Sequence, residues 1–461
     1  MAFLLGGGAR ADIQSLLILR PLAVLACGFG LWTLRLNHVT EFRFIFAFAG
    51  AVFALVVLHL VPLPPAIWGS LPGRELLVEA DRLAGLGPVW RPISIIPSAT
   101  WNVFYSLFVP LAVLLIGVQV SAEDRQRLLP FFLGLGVVSG ILGLLQVVGS
   151  TDSPFYMYRI TNNGSAVGLF SNRNHQAIFL ATMFPMLAVF ASTAARTIEQ
   201  SRFRLWSSIA VTVVLIPLLL VTGSRAGLII GLAGLASAAL LYRKVTLDVP
   251  AKRKVARFNL AYVLGAAGVL GLGLLTVLLA RAEAFERLMA SNQTQDLRFA
   301  IWGPVVQMAI NYFPFGSGIG SFVEVYQINE PLKLLSPRYV NHVHNDFIEV
   351  FFTGGLLAIC LVGVALLALG RMSYEAWFRQ APKSHSTLHA RLGSIILTLL
   401  TISSVADYPL RVPSIMAFAS IAVLWMCRNQ RQGDVVRPRS ANRDGSPNQT
   451  SLAEPAIPKG D

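Results

Sequence analysis

The segment Asn341-His342-Val343-His344-Asn345-Asp346 sets two imidazoles, two amides and a carboxylate directly before a long apolar run. At the mouth of a membrane helix such groups cost free energy unless they face water, one another or a ligand. An imidazole with an ordinary pKa of about 6.5 can accept a proton near neutral pH, which makes His344, and behind it His342, a candidate base or ligand contact. The plainer reading is an interfacial cap, with Asn345 or Asp346 closing the start of the next helix. Two histidines at i,i+2 without further ligands do not make a metal site, so no metal is expected. Arginine supplies a second chemistry: Arg225 in the turn Thr222-Gly223-Ser224-Arg225, Arg298 in a later polar segment, and Arg173 in Phe170-Ser171-Asn172-Arg173-Asn174-His175. Each could be a snorkelling anchor. Three guanidinium groups and a histidine pair on one face nevertheless suit an anionic diphosphate. Of the other histidines, His38, His59, His175, His385 and His389, the strongest candidate is His175.

The elements that must position these residues are apolar. Of 461 residues, 55% are hydrophobic and 13% charged, and the mean hydropathy is +0.63. A soluble domain carries roughly 25% charged residues, so a water-soluble fold is excluded. Apolar runs at about 13–34, 42–61, 101–120, 128–149, 176–194, 205–222, 224–242, 258–280, 346–370, 392–406 and 411–427 are each near the length of a membrane helix. Long runs of this kind predict helices and not the short alternating strands of a barrel. The expected fold is all-α, a polytopic bundle of about 10–12 spans over residues 1–427, with outward segments at about 62–100 and 281–345. Arg20 interrupts the first run, which marks that run as a candidate interfacial piece and leaves the N-terminal side open. The residues 428–461, rich in Pro, Ser, Asn and Arg, read as a disordered tail.

The net charge of +14 does not point to nucleic acid. The basic residues cluster at the ends of the runs and form no stripe interleaved with aromatics. Arg243, Lys244, Lys252, Arg253, Lys254 and Arg257 fill one loop, Arg371, Arg379, Lys383 and Arg391 another, and Arg428 and Arg431 open the tail. The positive-inside rule puts these in the cytoplasm and puts Arg225, segment 281–345 and Asp407 outside. Within 281–345, Leu297, Ile301, Val305 and Met308 recur at helical spacing, which predicts an amphipathic helix near the membrane surface. The glycines of Phe315-Gly316-Ser317-Gly318-Ile319-Gly320 follow no strand and precede no Gly-Lys-Ser/Thr, so they are no nucleotide loop. Cys27, Cys360 and Cys427 fit neither a metal site nor a disulfide framework, and the N-terminus shows no cleavable signal. Gly136 with Gly140 and Gly227 with Gly231 have the spacing of close helix packing.

Several pieces together resemble the O-antigen ligase family, part of a superfamily with O-antigen and exopolysaccharide polymerases. They are Gly168 to Asn174, Thr222 to Gly227, Arg298 to Trp302, Pro314 to Phe322, His342 to Asp346 with Gly354-Gly355-Leu356, and Ser404 to Leu410. The resemblance implies an inverting, metal-independent glycosyltransferase without nucleotide sugar or other cofactor. It would move a glycan from an undecaprenyl diphosphate carrier to an acceptor hydroxyl, on a lipid A core or a growing polysaccharide, at the periplasmic face of a bacterial inner membrane. It further implies that Arg225 and Arg298 hold the diphosphate and that His344 is the catalytic histidine. Arg173, His342, Asn345 and Asp407 are supporting candidates, Asp407 as partner to an arginine. A polymerase is the alternative within the class. A transporter, the alternative outside it, would place ionisable residues at the bilayer midplane on broken helices in related halves.

Overall fold

The fold is seen in a computed structural model that describes residues 1–149, 151–195, 197–245, 298–336, 339–379 and 385–427. The run at 258–280, the start of segment 281–345 and the tail 428–461 lie outside the described residues. The helices are α1 (Ala2–Leu5), α2 (Leu16–Thr33), α3 (Leu36–Glu41), α4 (Arg43–Leu58), α5 (Pro65–Gly69), α6 (Glu75–Leu83), α7 (Pro97–Ser106), α8 (Phe108–Gly117) and α9 (Ala122–Gln126). They continue with α10 (Leu128–Val148), α11 (Arg173–Ser192), α12 (Ile198–Val221), α13 (Arg225–Leu241), α14 (Trp302–Asn311), α15 (Phe322–Asn329), α16 (Asp346–Tyr374), α17 (His385–Ser403) and α18 (Pro413–Met426). Among the described residues the only sheet pairs Pro62–Leu63 with Arg91–Pro92. The protein is all-α.

Among the described residues, seven stretches are long and apolar enough to cross a membrane: Leu16–Thr33, Pro97–Gly117, Ala122–Val148, Arg173–Ser192, Ile198–Val221, Asp346–Arg379 and Ser386–Ser403. With the shorter apolar helices α4, α13 and α18 they coincide with every run read from the sequence except the one at 258–280. Local chemistry starts several of them. Asn172, Thr197, Ser224 and Asn345 each accept a backbone N–H from the first turn of α11, α12, α13 and α16, meeting donors that helix geometry leaves orphaned. α11 is the axis of the bundle, 94% buried along its apolar window. α13 lies close along it because Gly227 faces Ala177 and Gly234 faces the Ala181 carbonyl; a Cβ on Gly227 would stand 2.3 Å from that of Ala177.

The N-terminal residues belong to the same end of the bundle as the histidine motif. Ser171 donates its N–H to the Gly7 carbonyl at 3.0 Å and Ser414 to that of Gly6 at 3.0 Å, while the Arg10 guanidinium donates to the Tyr339 hydroxyl. The run that follows forms the 18-residue helix α2, long and apolar enough to cross a membrane. Its Arg20 donates through Nη2 to Asn102 and Ser106 of α7. Hydrogen bonds from Arg204 to the Thr193 and Ala194 carbonyls, from Arg243 N to Ser192, and from Arg391 to the Ala376 and Trp377 carbonyls gather the basic residues at the other end.

Two segments shape the floor of the histidine end. Ile301, Val305 and Met308, the apolar stripe read for 297–311, are buried against Val343, Phe352, Phe322 and Tyr326. That stripe packs on protein, which locks α14 beneath the histidine motif. The glycine loop 314–320 docks on a break in α16, where Gly355 has φ 62° and ψ −153°. Ser317 and Gly318 donate to the Phe352 and Thr353 carbonyls at 3.0 and 2.9 Å, and Leu356 donates to Pro314 at 2.8 Å. The loop thus replaces the helical bonds that the break removes. Only glycine tolerates the Gly355 backbone, and a Cβ there would stand 2.2 Å from the Pro314 carbonyl. Gly355→Ala is expected to cost at least about 2 kcal/mol, read as a lower midpoint of thermal unfolding in detergent. An unchanged midpoint would show that loop and helix are not coupled.

Candidate functional site

Three helix ends converge on one aromatic ring. The Asp346 N–H donates to the Ser404 carbonyl at 2.9 Å, which seats the start of α16 against the turn after α17. That turn carries Asp407 and Tyr408. His175, in the first turn of α11, meets the Tyr408 ring edge-on with centroids 5.0 Å apart. His342 lies 4.2 Å and His344 5.0 Å from the same ring.

His344 is the only non-glycine residue with positive φ, 55°, among the described residues. Backbone strain of this kind persists only where the surroundings impose it. Here it turns the imidazole so that Nδ1 stands 3.4 Å from Asp407 Oδ1. The carboxylate is fully buried, whereas the imidazole keeps 12% of its surface exposed. Burial acts on Asp407 to raise its pKa. The hydrogen bond from His344, the neighbouring imidazoles of His175 and His344, and the charge of Arg298 outweigh it and hold the carboxyl well below the usual range. An ionised carboxylate only accepts, so the proton of His344 sits on Nδ1 and leaves the Nε2 lone pair outward. Burial is the main influence on His344 itself and lowers its pKa below 6.5; Arg298 adds to the effect while Asp407 opposes it. The result is an imidazole that is neutral, oriented and basic at Nε2, the arrangement that activates a hydroxyl.

A second network lies behind the first. Glu349, in the first turn of α16 and fully buried, receives His342 Nδ1 at 3.1 Å, the Val343 N–H at 3.0 Å and Arg411 at 3.1 Å. Arg411 also donates to Asp346 at 2.9 Å, and the paired acids hold its pKa up against burial. His342 is thus a brace for the loop that carries His344. Asn345 acts as the cap, its Oδ1 accepting the Phe347 and Ile348 N–H groups at 3.0 and 3.1 Å.

The arginines are placed unevenly. Arg298 is near enough for its charge to act on His175, His344, Asp407 and Tyr408. Arg225 opens α13 at the same end, two residues before the Gly227–Ala177 contact with α11. Arg173 opens α11, its N–H donating to Asn162 at 3.1 Å. Asp407 has an imidazole, and not an arginine, as its hydrogen-bond partner. Tyr408, Glu349 and Arg411 were missed as functional residues. Glu349 was hidden inside an apolar run, although a lone ionisable group within a span is itself a pointer. No group of three or more His, Cys, Asp or Glu arranged to hold a metal occurs among the described residues.

The described residues thus form an all-helical bundle of membrane-spanning type with a strained imidazole–carboxylate pair at one end. Residues 210–363 match the family model described as O-antigen ligase, which makes this part of the chain similar to that family. The match spans Arg225, Arg298, His342, His344 and Glu349; His175, Asp407, Tyr408 and Arg411 lie outside it. No curated protein matches the chain in sequence. The matched segment supports a ligase-like role in glycan transfer in general terms.

Proposed function

We propose that the protein transfers a glycan from an undecaprenyl diphosphate carrier to an acceptor hydroxyl at the periplasmic face of a bacterial inner membrane. The observation that carries this reading is the His344–Asp407 pair with Arg298 in range of it. His344 Nε2 takes the proton of the acceptor hydroxyl as its oxygen attacks the anomeric carbon. The bond from that carbon to the diphosphate oxygen breaks, and the electron pair leaves with the diphosphate. Arg298 and Arg225 stabilise the charge that grows there, a role in which fixed cations in a partly dehydrated site are effective. Attack opposite the leaving group inverts the anomeric configuration. The donor is already activated by its diphosphate, so the step needs neither nucleotide sugar nor metal. The basic residues at the far end of the bundle support a periplasmic site, since they belong on the cytoplasmic side.

Purified protein in detergent, given lipid-linked glycan and a lipid A core acceptor with a chelator present, should form the joined product. Release of free undecaprenyl diphosphate should match it mole for mole. A requirement for nucleotide sugar would sink the reading. Lengthening of the lipid-linked glycan without acceptor would instead identify a polymerase working through the same site.

A further inference from the structure

The Tyr408 hydroxyl lies at the centre of the site, and the reaction as written above does not use it. Two side-chain amides donate to it: Asn172 Nδ2 at 3.4 Å and Asn341 Nδ2 at 3.2 Å. The orientation of Asn172 is fixed independently, because its Oδ1 accepts the Asn174 N–H at 2.9 Å as the cap of α11. A phenolic oxygen has two acceptor positions and one proton. With both acceptor positions taken, the proton must be directed elsewhere, and Tyr408 Oη donates to no described residue. The residue is 5% exposed, so bulk water does not meet the need, and a buried donor left unmatched is costly. The ring cannot turn away, since His342, His344 and His175 pack around it.

We propose that Tyr408 donates its hydroxyl proton in a hydrogen bond to a phosphoryl oxygen of the donor, beside the oxygen that Arg298 faces. This deepens the function proposed above and rests on it. Three observations favour a phosphoryl oxygen over a sugar hydroxyl. Arg298 acts on Tyr408 as well as on the dyad. The two amides leave the phenol as donor only, which matches an acceptor-only anion. The hydroxyl also adjoins the N-terminus of α11 through Asn172, where the helix dipole favours negative charge. Burial, reinforced by the adjacent Asp407 charge, pushes the phenol up to about 12, so it remains a neutral donor at any working pH.

Binding of glycan-free undecaprenyl diphosphate to the full chain in detergent tests the assignment. Tyr408→Phe should weaken binding about tenfold or more, the loss of one hydrogen bond to an anion, with thermal unfolding near that of the wild type. If the phenylalanine variant fails to fold, 3-fluorotyrosine at position 408 keeps the ring and hydroxyl. It makes the phenol a stronger donor and a weaker acceptor, so binding should tighten or hold if the proton meets the ligand. Weaker binding in the fluorinated protein, or equal affinity in Tyr408→Phe and wild type, would overturn the proposal and leave the dyad mechanism standing. Failure of the wild type itself to bind undecaprenyl diphosphate would overturn the proposed function together with it.

Discussion

Exchanging His344 for asparagine is expected to lower the rate of glycan transfer by about three orders of magnitude, the effect of removing a well-placed general base. Asparagine is the right replacement for a physical reason. The position has φ 55°, and asparagine visits the left-handed region far more readily than alanine or glutamine. His344→Asn therefore removes the imidazole without adding backbone strain, and the variant should accumulate in the membrane and unfold at nearly the wild-type temperature. Donor binding should change little, because the diphosphate contacts are assigned to other residues. The wild-type pH profile carries the same signature. The pKa of His344 is lowered from 6.5, so the base stays unprotonated below that value. Activity should persist through pH 6.5 and fall only at more acid pH as the imidazole protonates. His344→Asn should lack that limb. An asparagine variant within tenfold of wild type would remove His344 from the chemistry.

The second large effect is expected at Asp407. Asp407→Asn preserves size but removes the charge, and one oxygen, Oδ1, accepts the Tyr408 N–H at 3.0 Å and also faces His344 Nδ1 at 3.4 Å. An amide oxygen left there holds the Nδ1 proton more weakly than a carboxylate, and an amide N–H placed there favours the tautomer with the proton on Nε2. An imidazole with its outward nitrogen protonated cannot act as the base. By the logic of dyads and triads, the loss in rate should be on the order of 10³–10⁴. Affinity for the lipid-linked donor should be nearly unchanged, so the effect falls on kcat and not on KM. The double variant with His344→Asn should be scarcely slower than either single one, since both disable one unit. Full additivity of the two losses would show that Asp407 acts through something other than His344, with His175 the first candidate at 3.9 Å.

Much of the fold was decided by short-range chemistry. Apolar runs near 20 residues long must become helices in a membrane because no other local conformation satisfies the backbone there. The caps Asn172, Thr197, Ser224 and Asn345 act within three residues of themselves, so their helices start where the sequence says. His344, Arg225 and Arg298 stood out for a related reason: polar groups at the ends of apolar runs are costly and visible. What the tertiary structure alone decided is who meets whom. Asp407 lies 63 residues after His344 and could have paired with any cation on its face; the seating of α16 on the turn after α17 selected the imidazole. His175 reached the site because α11 is the enclosed axis of the bundle, a consequence of glycine contacts along α13. Glu349 was masked by its apolar neighbours, and its partner Arg411 became evident only when the two helix ends were packed together. One-dimensional periodicity reports the direction of a side chain around its own helix; the register between helices depends on packing among residues far apart in the chain, and so does the geometry of this site.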